Sequence, residues 1–214
     1  MNKTVLLTRP NHDNTTRYLF YWAQRIAIEA EAKGLQLLDL KEERANRKEF
    51  ESMIKSKEPA LILLYGHGGS DKVAGHNDEV LIEVGDNDNI LKSKIIHALS
   101  CKSAKMLGPA SVSSGALAYI GYDEDFVFCC IPEKTSKPLE DKLASLFLNP
   151  PELLIKNLLK GNSTGVSVSR AKNLFMDNIQ KLLTAENSEY DYAVPYLLWN
   201  MNHLKLIGDN NASF

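Results

Sequence analysis

The sequence predicts an α/β fold: a three-layer α/β/α sandwich around a mostly parallel sheet of about six strands. Three observations lead there. Short apolar runs at 5–7, 35–40 and 60–65 alternate with helical segments, giving the order β-α-β-α-β from which parallel sheets are built. The last of these runs ends in LILLY, apolar on both faces, as a strand covered by helices on either side must be. Turn formers punctuate the runs, with Pro10, Asn11, Asp13 and Asn14 after the first and Gly66, Gly68 and Gly69 after the third.

The first strand, Val5-Leu6-Leu7, should end near Thr8. From Thr15 to Lys33 the residues Leu19, Trp22, Ala23, Ile26, Ala27 and Ala30 recur three and four apart, which marks an amphipathic helix stopped by Gly34. Leu35 to Leu40 reads as a strand. Glu42 to Lys57 reads as a solvated helix, because the charges of KEERANRKEFE alternate in sign. Between Gly68 and Asn89, glycines, aspartates and asparagines surround VLIEV, and this predicts a small hairpin or an extended insertion over the end of the sheet. KIIHAL (94–99) and ALAYI (116–120) are two further strands. After the break at Pro132–Pro138, helices are expected over 139–148, 152–160 and 169–183, with HLKLIGD as a sixth strand. The asparagine-rich zone near 86–89 and the tail DNNASF should be loosely structured.

A chain of 214 residues with 44% apolar composition can bury one substantial core, so a single domain over 1–214 is expected. The net charge of -2 offers no broad basic field, which disfavours nucleic acid as a partner. No apolar run approaches the roughly 20 residues of a membrane span, and the N-terminus lacks a signal-peptide pattern. The odd set Cys101, Cys129 and Cys130 fits a reducing compartment and not a secreted disulfide framework. A soluble, cytoplasmic protein is the expectation.

Open parallel sheets bind ligands beyond the carboxyl ends of their strands. Two reactive residues stand at such ends: His67 after LILLY and Cys101 after KIIHALS. If these strands are neighbours, imidazole and thiol share one edge of the sheet, where the ring can take the thiol proton and the thiolate can attack an acyl carbon. Gly68 and Gly69 leave the backbone bare beside His67, so an amide there and the Cys101 amide could receive a developing oxyanion.

YGHGG followed by IIHALSC resembles the two active-site strands of the caspase-hemoglobinase class of cysteine peptidases, which includes caspases, gingipains, legumains, separases and bacterial CHAT proteases. The resemblance extends over most of the chain and implies a caspase-like fold. It implies a cysteine endopeptidase that acts on a protein or peptide substrate through a Cys-His dyad and a thioester, without cofactor or metal. By the same resemblance His67 is the catalytic histidine, Cys101 the nucleophile, and Gly68 with Cys101 the oxyanion hole. Small bacterial relatives often serve in self-processing or defence and cut one dedicated partner protein. The chain departs from some relatives at Leu99, where they carry an acid two positions before the cysteine. Specificity must then come from elsewhere: Asp13 in the loop after the first strand would select Lys or Arg before the cut, whereas Arg9 or Arg17 would select an acid. Asp13 suits an Asx-turn or helix cap equally well. Asp123 and Asp125, just beyond AYIGY, could serve instead.

Rival readings exist. GNSTG (161–165) matches the G-x-S-x-G nucleophile elbow, with Ser163, Asp191 and His203 in the chain order of α/β-hydrolases. The elbow needs a strand before its serine, yet ELLIKNLLKG repeats its apolar pairs four apart, as a helix does. A zinc set drawn from His67, His76, His97 and Cys101 fails on spacing, since His97 and Cys101 in an extended strand lie about 13 Å apart. His97 should be packed or hydrogen-bonded, and His12 carries no pattern beyond a turn position. Cys129 and Cys130 read as small hydrophobes and Trp22 and Trp199 as core anchors. A catalytically silent caspase-like interaction module is the non-enzyme alternative.

Overall fold

The structure is a computed structural model that describes residues 3–184 and 189–214. Its centre is a six-stranded sheet in the order β2-β1-β3-β6-β7-β8, formed by β1 (Thr4–Arg9), β2 (Gln36–Lys41), β3 (Leu61–Tyr65), β6 (Ile95–Leu99), β7 (Ala118–Tyr122) and β8 (Leu204–Gly208). The first five are parallel and β8 closes the edge antiparallel to β7. From β1 the chain moves outward to β2 and then returns to β3 on the other side of β1. That reversal opens a crevice beyond the carboxyl ends of β1 and β3.

Alternating side chains send Val5, Leu7, Leu61, Leu63, Tyr65, Ile95 and Leu99 to one face, where α1 (Asn14–Ala32), α4 (Lys142–Leu159) and α5 (Thr164–Thr184) cover them. Leu6, Ile62, Leu64, Ile96 and Ala98 go to the other face, under α2 (Arg47–Lys57), α3 (Leu107–Ser113) and the hairpin of β4 (Lys72–Ala74) and β5 (Val80–Glu83). A third apolar cluster joins α4 and α5 to α6 (Val194–His203) through Phe147, Phe175 and Leu197. Leu61, Ile62, Leu63 and Leu64 are fully inaccessible. Each such burial stabilises by about 1.5–3 kcal/mol, so the core fixes where β3 ends and where the loop after it emerges. Among the described residues no helix is long and apolar enough to cross a membrane.

The sandwich and its six strands are as the sequence predicts; several boundaries and elements differ. The helix expected over 42–57 is a short 3₁₀ turn followed by α2, which restarts where the Asn46 side chain accepts the Glu49 amide. The two helices expected at 139–148 and 152–160 are one, α4, which runs through Pro150 and Pro151. Pro150 has no N–H for the Leu146 carbonyl, and the Asn178 side chain on α5 donates to that oxygen instead (2.8 Å). The tail is not loose: Ala212 and Phe214 are buried, and Ser213 bridges to Ser163. Nor is the 86–89 zone, where Asn87 and Asp88 are buried and accept the amides of Glu83 and Gly85. Trp22 is a core residue, but Trp199 is 41% exposed and donates to the Asp125 carbonyl (2.9 Å).

Candidate active site

β3 and β6 are parallel neighbours, with Tyr65 opposite Leu99. His67 and Cys101 each stand two residues beyond that last pair, at the same edge of the sheet. The two turns abut closely. A Cβ on Gly68 would lie 2.6 Å from the Cys101 carbonyl oxygen and 2.9 Å from Ser100 Cβ, so only glycine allows this approach. Gly68 also faces Val73 of the hairpin as a non-hydrogen-bonded pair, since the bonds run from Ala74 N to His67 O and from Gly69 N to Lys72 O. The Gly68 amide therefore points away from β4, while the Gly69 amide is occupied.

The His67 ring is held from the loop after β1. Its Nε2 lies 2.6 Å from Oδ2 of Asp13. Asp13 is at the same time the N-cap of α1: its Oδ1 accepts the Thr16 amide (2.7 Å), and Thr16 Oγ1 accepts the amide of Asp13 in return (3.0 Å). Partial burial works to raise the Asp13 pKa, but the bonds from Thr16 and His67 outweigh it and bring it down to about 2. Asp13 is thus a carboxylate that accepts, so Nε2 of His67 is the nitrogen that donates to it and Nδ1 is the one left for another partner.

A cleft of about 370 Å³ contains both His67 and Cys101. Asn14, Thr15 and Tyr18 of α1 form one wall, and the segment from Phe126 to Phe128 with Cys130 and Thr135 forms the other. Every one of these wall residues is uncharged. Asn200 on α6 clasps the second wall by accepting the Val127 amide (3.0 Å) and donating to the Val127 carbonyl (2.6 Å), in place of a neighbouring strand. Asp141 caps α4 and accepts both the Tyr18 hydroxyl and the Ile131 amide, each at 2.8 Å, tying that wall to α1. Burial, then the Asp141 carboxylate, raises the Tyr18 pKa, so its hydroxyl stays protonated. A second cleft, of about 420 Å³, also reaches His67 and is lined by the hairpin residues Lys72, Asp78 and Val80 with Gly69.

The Cys101 thiol donates to the Phe126 carbonyl at 3.9 Å. Burial pushes its pKa up and Asp125 adds to that, against a smaller downward pull from the Phe126 backbone; the net shift is upward, and the resting sulfur is a thiol, the form that can donate to the Phe126 carbonyl.

The structure separates the other candidates. Arg9 is buried, forks onto Asp39 (2.9 and 2.6 Å) and packs over the Phe20 ring, so its charge is spent inside the molecule. Asp123 is held by His203 (2.8 Å) and Lys205 (3.4 Å), and Asp125 by Lys102 (3.1 Å). His97 is packed in the core without a hydrogen bond on either nitrogen, and burial lowers its pKa to about 3. Ser163 follows α4 and not a strand, and its hydroxyl accepts the Val166 amide (3.3 Å) at the start of α5. Asp191 lies in a 3₁₀ turn before α6, and His203 bonds Asp123 and not Ser163. The elbow reading thus lacks both its strand and its base. Asn200, Tyr18 and the 126–130 wall carried no sequence signal, because each acts through partners remote in sequence.

No family model and no curated protein sequence matches the chain. Solved structures do. One is the complex of the Porphyromonas gingivalis RgpB pro- and mature domains (TM-score 0.61, 10% identity), covering 98% of this chain and 47% of that one. Another is the Arg-specific cysteine proteinase gingipain R, RgpB (TM-score 0.62, 11% identity), covering 99% of this chain and 47% of that one. The chain spans about half the length of these structures. At such identities the likeness is one of fold alone: a mostly parallel six-stranded sheet between helical layers, the caspase-like α/β/α sandwich that the chain shares with these structures.

Proposed function

We propose that the chain, over 1–214, is a caspase-like cysteine endopeptidase with Cys101 as nucleophile and His67 as general base. The observation that carries this reading is the placement of both residues in one cleft, at the ends of adjacent parallel strands. Nδ1 of His67 takes the Cys101 proton as the sulfur attacks the substrate carbonyl carbon, and the oxyanion is received by the amides of Gly68 and Cys101. The imidazolium then gives its proton to the amine of the breaking C–N bond, leaving a thioester on Cys101. Water, deprotonated by the same ring, attacks the thioester; the acid departs and the thiol is restored. Asp13 is the orienting carboxylate, holding Nε2–H and favouring the imidazolium as it forms. In this role Asp13 is not free to select a basic residue. The uncharged walls favour a bulky apolar or aromatic side chain before the cut, resting among Tyr18, Phe126, Val127 and Phe128. Three free cysteines agree with work in a reducing compartment.

A peptide library cleaved by wild type and by Cys101→Ala tests the proposal. Cleavage after large apolar residues, absent from Cys101→Ala and His67→Ala, is expected. Full activity in either variant contradicts the dyad, and a strict requirement for Lys or Arg contradicts the pocket.

A further inference from the structure

The loops after β1 and β3 and the inserted hairpin bring further imidazoles beside His67. His12 stands edge-on between His67 and His76, with ring centroids 5.9 and 5.3 Å away. Its side chain is 12% exposed, and neither ring nitrogen is reached by water or hydrogen-bonded. A buried imidazole without partners costs free energy, and here its surroundings are not apolar. Its Nε2 lies 3.4 Å from Oδ1 of Asp78, outside hydrogen-bond geometry. One donor atom each from His12, His67 and Asp78 falls within 4.8 Å of the other two.

The His12–Asp78 separation suits a shared ion better than a direct bond. Two tetrahedral ligands held about 2.0–2.1 Å from zinc are themselves about 3.4 Å apart, the separation found between His12 and Asp78. Two imidazoles and one carboxylate form a donor set for a borderline transition metal, whereas calcium and magnesium take oxygen ligands. Asp13 supplies the outer partner that metal-bound histidines usually have, since it holds Nε2 and leaves Nδ1 of His67 to bind. The second cleft, lined by His67 and Asp78, gives an ion a path from solvent. This set differs from the one weighed in the sequence, because His12 and Asp78 join His67 only through the fold.

We propose that His12, His67 and Asp78 form a zinc-class divalent-cation site that shares His67 with the dyad. The consequence for activity rests on the peptidase reading: a metal on Nδ1 competes with the thiol proton for the same lone pair, so micromolar zinc inhibits and a chelator restores cleavage.

The test titrates chelator-treated protein with Co²⁺, followed by its visible absorption, and then displaces it with Zn²⁺. Wild type and Cys101→Ala should bind one ion per chain, with affinity weakened at least about tenfold in His12→Ala and in Asp78→Asn. Asp78 is exposed, so Asp78→Asn leaves the fold intact. Absence of saturable binding, unchanged affinity in Asp78→Asn, loss of binding in Cys101→Ala, or equal affinity for Ca²⁺ overturns the site. In the cleavage assay Asp78→Asn should keep the basal rate and need at least about tenfold more zinc for inhibition. A wild type that binds Co²⁺ in this way but cleaves no peptide upholds the metal site and removes the peptidase reading.

Discussion

The two carboxylate oxygens of Asp13 have different partners, so its structural and chemical roles can be separated by mutation. Oδ1 caps α1 and Oδ2 faces His67. Asp13→Asn retains a side-chain acceptor for the Thr16 amide but loses the charge beside the ring. Its kcat should fall about 10²-fold with little change in melting temperature, whereas Asp13→Ala should also lose about 1 kcal/mol of stability. Equal kcat in Asp13→Asn and wild type contradicts the orienting role. Because folding lowers the Asp13 pKa from 3.8 to about 2, its stabilising contribution is complete above pH 3.8 and lost as pH falls through about 2. The gap in melting temperature between wild type and Asp13→Ala should therefore narrow over that window. At Cys101 the shift is upward, so thiolate appears only above the ordinary thiol range. Iodoacetamide should modify the resting protein faster as pH rises past 9, with no plateau between pH 6 and 8; such a plateau would indicate a standing thiolate–imidazolium pair. His67 and Cys101 were legible because each ends a buried apolar run. The Asp13–His67 bond was not, since 54 residues separate its partners and a cap explains the same aspartate equally well.

Strands and helices differed in how openly the sequence declared them. β1, β3 and β6 are apolar on both faces, so their existence and burial followed from the residues alone. α4 did not, because paired prolines normally end a helix, and here a side chain from another helix satisfies the carbonyl that Pro150 strands. Asn178→Ala should leave the Leu146 oxygen unpaired and lower stability by about 1–3 kcal/mol in urea unfolding; an unchanged midpoint would show that Asn178 is not the support. α6 has no clear signal in the sequence, and it matters through Asn200, which holds Val127 against the cleft. Asn200→Ala should raise KM for peptides more than it lowers kcat, because it loosens a binding wall and not the reacting groups.

For the molecule as a whole, the strand order turns separate loops into one site. Reversal at β1 sets the loops carrying Asp13 and His67 side by side, and the β3–β6 pairing brings Cys101 next to them. The alternation of apolar runs with helices foretold that layered sheet, yet nothing in the sequence foretold the uncharged lining, which is assembled from α1 and the 126–135 segment. The most direct test of the dyad is mass-spectrometric mapping of the adduct left by a peptidyl acyloxymethyl ketone bearing an aromatic residue next to the warhead. A single adduct on Cys101, missing from Cys101→Ala and formed at least about 10²-fold more slowly by His67→Ala, is the predicted result. Labelling of Ser163 or Cys130 with Cys101 untouched, or a rate indifferent to His67, would contradict it.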